Sequence, residues 1–89
     1  MNNWTFDYSD QFKKAFAKLD KPIQVMILAW IDKHLINVSD PRLYGKPLTG
    51  RLKGLWRYRI GSYHLLCEII DHTFIIRFIS IGHRKEIYK

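Results

Sequence analysis

Two alternating segments joined by a glycine-first turn constrain the fold more than any other feature of the chain. Apolar and basic residues alternate over residues 55–60, and a second strand-like segment covers residues 63–70. Gly61-Ser62 between them is typical of the two-residue loop of a β-hairpin. A loop of this length sets the register of the two strands, so we expect Arg59 to lie directly opposite His64.

This register predicts two chemically different faces. Arg57 and Arg59 share one face, about 6–7 Å apart along the strand, and His64 joins them from the neighbouring strand. The opposite, core-facing side is predicted to hold Trp56, Tyr58 and Ile60. Like charges at this spacing repel each other and destabilise the fold unless an anion binds there. The hairpin therefore predicts an anion site, the alternative being an ordinary solvated face.

Two amphipathic helices are predicted to precede the hairpin. Ser9 or Asp10 can cap the first, and Pro22 is expected to end it and to begin the second, which runs to about Ile36. The apolar positions of the first helix are Phe12, Ala15, Phe16 and Leu19. Since only a short turn separates them, the helices should form an antiparallel hairpin that covers one face of a sheet.

The remaining strands complete an α+β fold. Residues 4–8 alternate as a short N-terminal strand, a further short strand is expected near Leu48, and residues 74–81 form a last strand that stops at Gly82. The predicted order is therefore a strand, a helix hairpin, and a three- to four-stranded antiparallel sheet with the helices packed on one face.

Positive charge is concentrated in the second half of the chain. Residues 42–89 hold ten Lys and Arg against three acidic residues, and therefore carry the whole net charge of +7. Localised basic charge is typical of a protein that binds a polyanion. Docking to an acidic protein, or simple solubility, are the alternatives.

Length and composition limit the class of protein. At 89 residues we expect one domain, and the lone Cys67 cannot form an intramolecular disulfide, which fits a reducing cytoplasm. Residues 1–4 do not begin a signal peptide, and no apolar segment approaches the ~20 residues of a membrane span. We therefore expect a cytoplasmic protein with no membrane partner.

The chain lacks the sequence motifs of several enzyme classes. The chain has no glycine-rich phosphate loop, no CxxC and no suitable pair of carboxylates. The four histidines lack the spacing of metal ligands. Cys67 falls among the core-facing positions, so it is expected to pack in the core rather than to act as a nucleophile. We therefore expect no metal, no cofactor and no covalent catalysis.

The C-terminal residues 82–89 add further cations. A turn at Gly82 would bring Arg84 and Tyr88 toward the face of Arg57 and Arg59. Arginine binds phosphate through paired hydrogen bonds, and tyrosine can stack on a base. The alternative is a frayed basic terminus.

These motifs resemble one family. The order of elements, together with the segments 46–50, 56–63, 69–71 and 79–88, is similar to the RelE/ParE toxin superfamily over essentially the whole chain. The resemblance implies a single RelE-like toxin domain covering residues 1–89. Within the superfamily the chain looks like the RelE branch, whose members act in type II toxin–antitoxin systems.

The resemblance also implies a site and a chemistry. Its motif positions fall on Arg57, Arg59, His64, Arg84 and Tyr88, which we expect to be catalytic. Cleavage in the family needs no metal: the 2′-hydroxyl attacks the adjacent phosphate and leaves a 2′,3′-cyclic phosphate and a 5′-hydroxyl. The chain departs from the family in having arginines where some members have lysine, and His64 where arginine is common. Because arginine is a poor base, we expect Arg57, Arg59 and Arg84 to act as electrostatic clamps and His64 or His83 to transfer the proton. Further basic residues expected to bind RNA are Lys53, His83 and Lys85.

The function implied is that of an mRNA interferase. Such a toxin is a hydrolase-type endoribonuclease that enters the ribosomal A site, cuts the mRNA there and inhibits translation. Its partners are the ribosome, the mRNA and a cognate antitoxin, RelB-like or of another class. The alternatives are a ParE-like toxin that inhibits DNA gyrase and a non-catalytic basic module that binds nucleic acid.

Overall fold

A five-stranded sheet with two helices on one side forms the fold, and the computed structural model describes residues 4–86. The helices and strands follow in the order β1 (Thr5–Tyr8), α1 (Asp10–Ala17), α2 (Lys21–His34), β2 (Gly45–Pro47), β3 (Leu55–Ile60), β4 (Tyr63–Ile70) and β5 (Ile75–His83). Short 3-10 turns lie before β2, before β3 and between β4 and β5. Within the described residues no helix is both long and apolar enough to span a bilayer.

The strand order is β1-β5-β4-β3-β2. The strands β2 to β5 pair antiparallel, as predicted, while β1 pairs parallel with β5 at the edge. The predicted α+β class is confirmed, and the N-terminal strand extends the sheet to five strands. The short strand expected near Leu48 is β2, which ends one residue earlier, at Pro47.

The helix boundaries differ from the predicted ones. Ser9 caps α1, because its side-chain oxygen accepts a hydrogen bond from the Phe12 N–H at 3.0 Å. The prediction that Pro22 ends the first helix is wrong, since α1 ends at Ala17. Pro22 does lie in the first turn of α2, where proline is tolerated. That helix ends at His34, two residues before the predicted Ile36.

The core lies between the helices and one face of the sheet. Ile27 and Ile31 of α2, with Leu35 directly after the helix, belong to one core with buried sheet residues such as Tyr58 and Phe78. Cys67 belongs to this core, and burial raises the pKa of its thiol well above the usual range. Its predicted packing role is confirmed.

One extra residue interrupts the alternation of β5. Leu66 pairs with Ser80 and Cys67 pairs with Phe78, which leaves Ile79 without a partner on β4. The carbonyl of Ile79 in this β-bulge accepts a hydrogen bond from the Ser9 hydroxyl at 2.7 Å. The same serine therefore caps α1 and contacts the bulge.

Candidate active site

The hairpin of β3 and β4 has the predicted register. Arg59 lies opposite His64 and Arg57 opposite Leu66, while Tyr58 and Ile60 are buried in the core. Arg57, Arg59 and His64 therefore lie on the face turned away from the helices, which we call the outer face. Gly61 has a φ of 59°, which the glycine-first turn requires.

A strand that the sequence located only approximately adds a further cation. Lys46 on β2 pairs with Arg57, so both lie on the outer face. A shallow pocket of about 220 Å³ is lined by Tyr44, Lys46, Arg57 and Arg59. Sequence reasoning missed Tyr44 and Lys46, because the register of β2 against β3 has no turn signal comparable to Gly61-Ser62.

The cations around His64 differ from Arg77, which lies farther along the same face, and from Arg42 in their partners. Arg77 binds Asp7 at 2.8 Å and Glu68 at 3.1 Å, and Arg42 binds Asp71 at 2.6 Å.

Within residues 4–86, by contrast, no carboxylate lies within 4.0 Å of the charged groups of Lys46, Arg57, Arg59 or Arg84. The buried Nε of Arg57 has no hydrogen-bond acceptor among these residues either. An unneutralised cationic cluster with a buried, unused donor is suited to binding an oxyanion.

His64 lies within this cluster, and its side chain is 5% exposed. Burial lowers the pKa of His64 below its usual range, and the charges of Arg57, Arg59, Arg84 and His83 lower it further, in that order. The imidazole is therefore neutral at pH 7. An ordinary solvated face, the alternative to an anion site, is wrong for the centre of the outer face, where Leu66 and Ser80 are buried as well. These residues lie on the inner strands β4 and β5, flanked by long side chains of neighbouring strands.

The segment after β5 separates the predicted C-terminal site residues. The Arg84 N–H donates to the Ser62 carbonyl at 2.9 Å, so Arg84 lies beside the β3–β4 turn, where its charge acts on His64. His83 instead contacts the ring of Tyr63 at 5.7 Å and lines a groove with α1 on the opposite face. The structure therefore brings Arg84, but not His83, to the outer face.

Three predicted residues remain outside the cluster. Lys53 is exposed after the 3-10 turn at Gly50–Leu52, and Lys85 is exposed after β5, its N–H donating to Nδ1 of His83 at 3.2 Å. Their roles in RNA binding stay predictions. Tyr88 lies outside the described residues.

The arrangement supplies the parts of a phosphodiester-cleaving site. Guanidinium groups stabilise charge that develops on phosphate oxygens, and a neutral imidazole accepts a proton. Among residues 4–86 no group of three or more His, Cys, Asp or Glu is placed to hold a metal ion.

Comparison with known proteins identifies the family. Residues 6–88 match the family model described as "ParE toxin of type II toxin-antitoxin system, parDE". The chain belongs to the RelE/ParE toxin superfamily. The toxin is 36% identical over 50 residues to Toxin RelG from Mycobacterium tuberculosis, a match that covers 56% of the chain and 58% of that relative. The matched segment thus spans little more than half of the relative.

Solved structures of toxins share the fold. The toxin is similar to a chain of the toxin–antitoxin complex RelBE2 from Mycobacterium tuberculosis, with a TM-score of 0.81 and 26% identity over 92% of this chain and 99% of that one. It also resembles YafQ from E. coli, with a TM-score of 0.73 and 24% identity over 98% of this chain and 100% of that one. For isolated E. coli RelE the TM-score is 0.72 and the identity 21%, over 96% of this chain and 90% of that one. The partial match to Toxin RelG and the RelBE2 chain make this toxin similar to RelE-type toxins, and the YafQ and RelE structures show the same fold.

Proposed function

We propose that this toxin is a ribosome-dependent, metal-independent endoribonuclease that cleaves mRNA and thereby inhibits translation. The observation that carries the proposal is the position of Arg57 and Arg59 on the same face as His64, with Arg84 held beside the adjacent β3–β4 turn. Because none of the three has a carboxylate partner within residues 4–86, their charge is available to a phosphate.

The residues divide the chemistry between charge and proton transfer. The arginines hold the scissile phosphate and stabilise its phosphorane-like transition state, since guanidinium groups stay protonated and are poor bases. Neutral His64 takes the proton of the 2′-hydroxyl while that oxygen attacks phosphorus. The bond between phosphorus and the 5′-oxygen breaks and the leaving oxygen takes a proton from water, which gives a 2′,3′-cyclic phosphate and a 5′-hydroxyl. His64 then returns its proton to the solvent. The imidazole is 5% exposed, so the substrate has to approach it between the guanidinium groups.

The placement of His83 favours His64 for the proton role, because His83 contacts Tyr63 on the helix-covered face. Tyr88 is proposed to orient or stack on the target base, as the family motif implies. Lys53 and Lys85 are proposed to bind the RNA backbone at some distance from the cleaved bond, because both are exposed lysines.

The proposed partners are a cytoplasmic ribosome with mRNA in its A site and a cognate antitoxin. Family membership supports an antitoxin, and similar toxins have been solved in the RelBE and DinJ–YafQ toxin–antitoxin complexes of E. coli. An acidic antitoxin segment over the outer face would neutralise the cations and block substrate access.

A gyrase-inhibiting toxin is the second candidate, because the matching family model is itself described as ParE. Such a toxin acts through protein contacts and does not need unpaired arginines around a neutral imidazole. Expression distinguishes the two functions, since mRNA cleavage stops protein synthesis whereas gyrase inhibition damages DNA. A non-catalytic basic module would bind nucleic acid in a salt-dependent manner and leave transcripts intact.

The test is inducible expression with mapping of transcript 5′ ends. We expect the cuts to be confined to translated regions. Arg57→Ala and Arg84→Ala should each reduce cleavage by about 10²–10³-fold, the usual effect of removing one positioned donor. Arg51→Ala is the matched control, because Arg51 is exposed and outside the cluster.

Two further results would contradict the proposal. One is folded Arg57→Ala and Arg84→Ala variants that cut as well as the Arg51→Ala control. The other concerns proton transfer: if His64→Ala keeps full activity and an unchanged pH–rate profile, His64 has no part in the mechanism.

A further inference from the structure

We propose that Tyr44 forms a nucleobase subsite beside the phosphate-binding cations, on which one base of the bound RNA stacks. The inference rests on the proposed function, because it requires single-stranded RNA at the outer face. It adds a residue that recognises the base to a site so far described only by its charge.

The first observation is the composition of the outer-face pocket. Its lining combines three cations, Lys46, Arg57 and Arg59, with the ring of Tyr44. Tyr44 is 52% exposed, so much of its ring is open to a ligand. Cations beside an exposed aromatic ring are what proteins use for single-stranded nucleic acid, because the cations bind the backbone and the ring stacks on a base.

The second observation is that the ring of Tyr44 is held in place from behind. It packs edge-on against His34, with ring centroids 4.9 Å apart. The ring of His34 in turn stacks on Trp30 at 4.4 Å, and Trp30 contacts the buried ring of Tyr58 at 5.5 Å. A chain of aromatic contacts therefore runs from the core to the pocket and restricts the rotation of Tyr44.

The backbone that carries Tyr44 is also fixed. Tyr44 ends the 3-10 turn Pro41–Tyr44, and the buried hydroxyl of Tyr58 donates to the Pro41 carbonyl at 2.5 Å. In the same turn the guanidinium of Arg42 forms two hydrogen bonds, of 3.0 and 2.6 Å, with the carboxylate of Asp71. The turn is thus bound to β3 and to the loop after β4.

Gly45, which follows Tyr44, allows the backbone to approach the core closely. A Cβ at this position would lie 3.0 Å from a ring carbon of Tyr58 and 3.3 Å from the Arg57 carbonyl. The close approach sets Tyr44 directly beside the strand that carries Arg57. An aromatic residue fixed in this way loses little conformational entropy when a base stacks on it, which favours binding.

The test compares two labelled probes of equal length by fluorescence anisotropy at low salt. One is a single-stranded RNA tetranucleotide, and the other is the same ribose-phosphate chain without bases. We expect Tyr44→Ala to weaken RNA binding by about 5- to 150-fold, the usual range for one base–aromatic stack, and to leave binding of the abasic probe unchanged. Tyr44→Trp should bind RNA at least as well as wild type.

Leu43→Ala is the matched control, because Leu43 is 65% exposed in the same turn but does not line the pocket. It should bind both probes like wild type. Thermal melts of each variant show that it is folded, and we expect small shifts because both side chains are largely exposed.

The outcomes separate this inference from the proposed function. If Tyr44→Ala weakens both probes equally, or neither, the subsite is refuted, while loss of both probes in Arg57→Ala would still support the phosphate site. If wild type binds RNA no better than the abasic probe, the subsite is again refuted. If wild type binds neither probe in a salt-dependent manner, the proposed RNA site fails and the subsite fails with it.

Discussion

Ser9 offers a sharp test of how the helices and the site are connected. Its side-chain oxygen accepts from the Phe12 N–H at 3.0 Å, which caps α1, and its hydroxyl donates to the Ile79 carbonyl at 2.7 Å, in the bulge of β5. Ser9→Ala removes both hydrogen bonds at once. The bulge lies in β5, the strand that precedes Arg84.

The expected loss of stability in Ser9→Ala follows from these two hydrogen bonds. Loss of an N-cap costs about 0.5–2 kcal/mol, and loss of an ordinary hydrogen bond costs about 0.5–1.5 kcal/mol. We therefore expect Ser9→Ala to lower the free energy of unfolding by roughly 1–3.5 kcal/mol. In a domain of this size each 1 kcal/mol lowers Tm by about 4–8 °C.

Two replacements separate the contributions. Ser9→Thr keeps the acceptor and the donor and should remain near wild type. Ser9→Asp keeps the acceptor but, when ionised, cannot donate to Ile79, so it should lose only the second contribution. Ser62→Ala is the matched control, because Ser62 is an exposed turn residue with no side-chain hydrogen bond among residues 4–86.

The assay is urea denaturation at pH 7, supported by calorimetry. Among the variants at position 9, we expect Ser9→Thr to be the most stable, Ser9→Asp to be intermediate and Ser9→Ala to be the least stable. If Ser9→Ala is as stable as Ser62→Ala to within about 0.5 kcal/mol, the size expected of a neutral surface substitution, the connection between the helix cap and the bulge has no energetic weight.

Two further predictions concern buried polar groups. Tyr58→Phe leaves the Pro41 carbonyl without its donor and should cost about 1–3 kcal/mol in urea denaturation, whereas Tyr8→Phe, whose hydroxyl makes no hydrogen bond within residues 4–86, should cost little. The pKa of His64 is lower in the folded than in the unfolded chain, so the unfolded chain binds more protons just below pH 6.5. Stability contributed by neutral His64 is present above that pH and should fall by up to about 1.4 kcal/mol per pH unit as the pH drops toward the folded pKa. In His64→Asn that part of the slope should disappear, and an equally steep slope in the variant would contradict the assignment.

The hairpin was predictable from sequence because its constraints are local. Gly61-Ser62 fixes the loop length, and period-two alternation then places Arg59 opposite His64 without knowledge of the rest of the fold. The cap at Ser9 and the start of α2 near Pro22 follow from equally local signals. Each of these features depends on residues a few positions apart.

Features that depend on distant contacts were not predictable. Nothing in the sequence of β1 indicates that it pairs parallel with β5, and the apolar residues around Ile79 contain no signal for a bulge. The pocket lining by Tyr44 was missed because it requires the register of β2 against β3. Burial of His64 was missed because it depends on what packs around the residue in three dimensions, which the alternation within β4 does not indicate.

The pairing of β1 with β5 bears on how the chain folds during its own synthesis. Thr5 pairs with Ile75 and Tyr8 with Phe78. During synthesis β1 therefore cannot pair until the strand about 70 residues later in the sequence has been translated. Contacts of such long sequence separation form late, because loop closure costs entropy before they become favourable. The cationic face is completed by Arg84, which follows β5. A nascent chain therefore cannot assemble this face until its last described strand has been translated, which delays the appearance of the complete cationic surface.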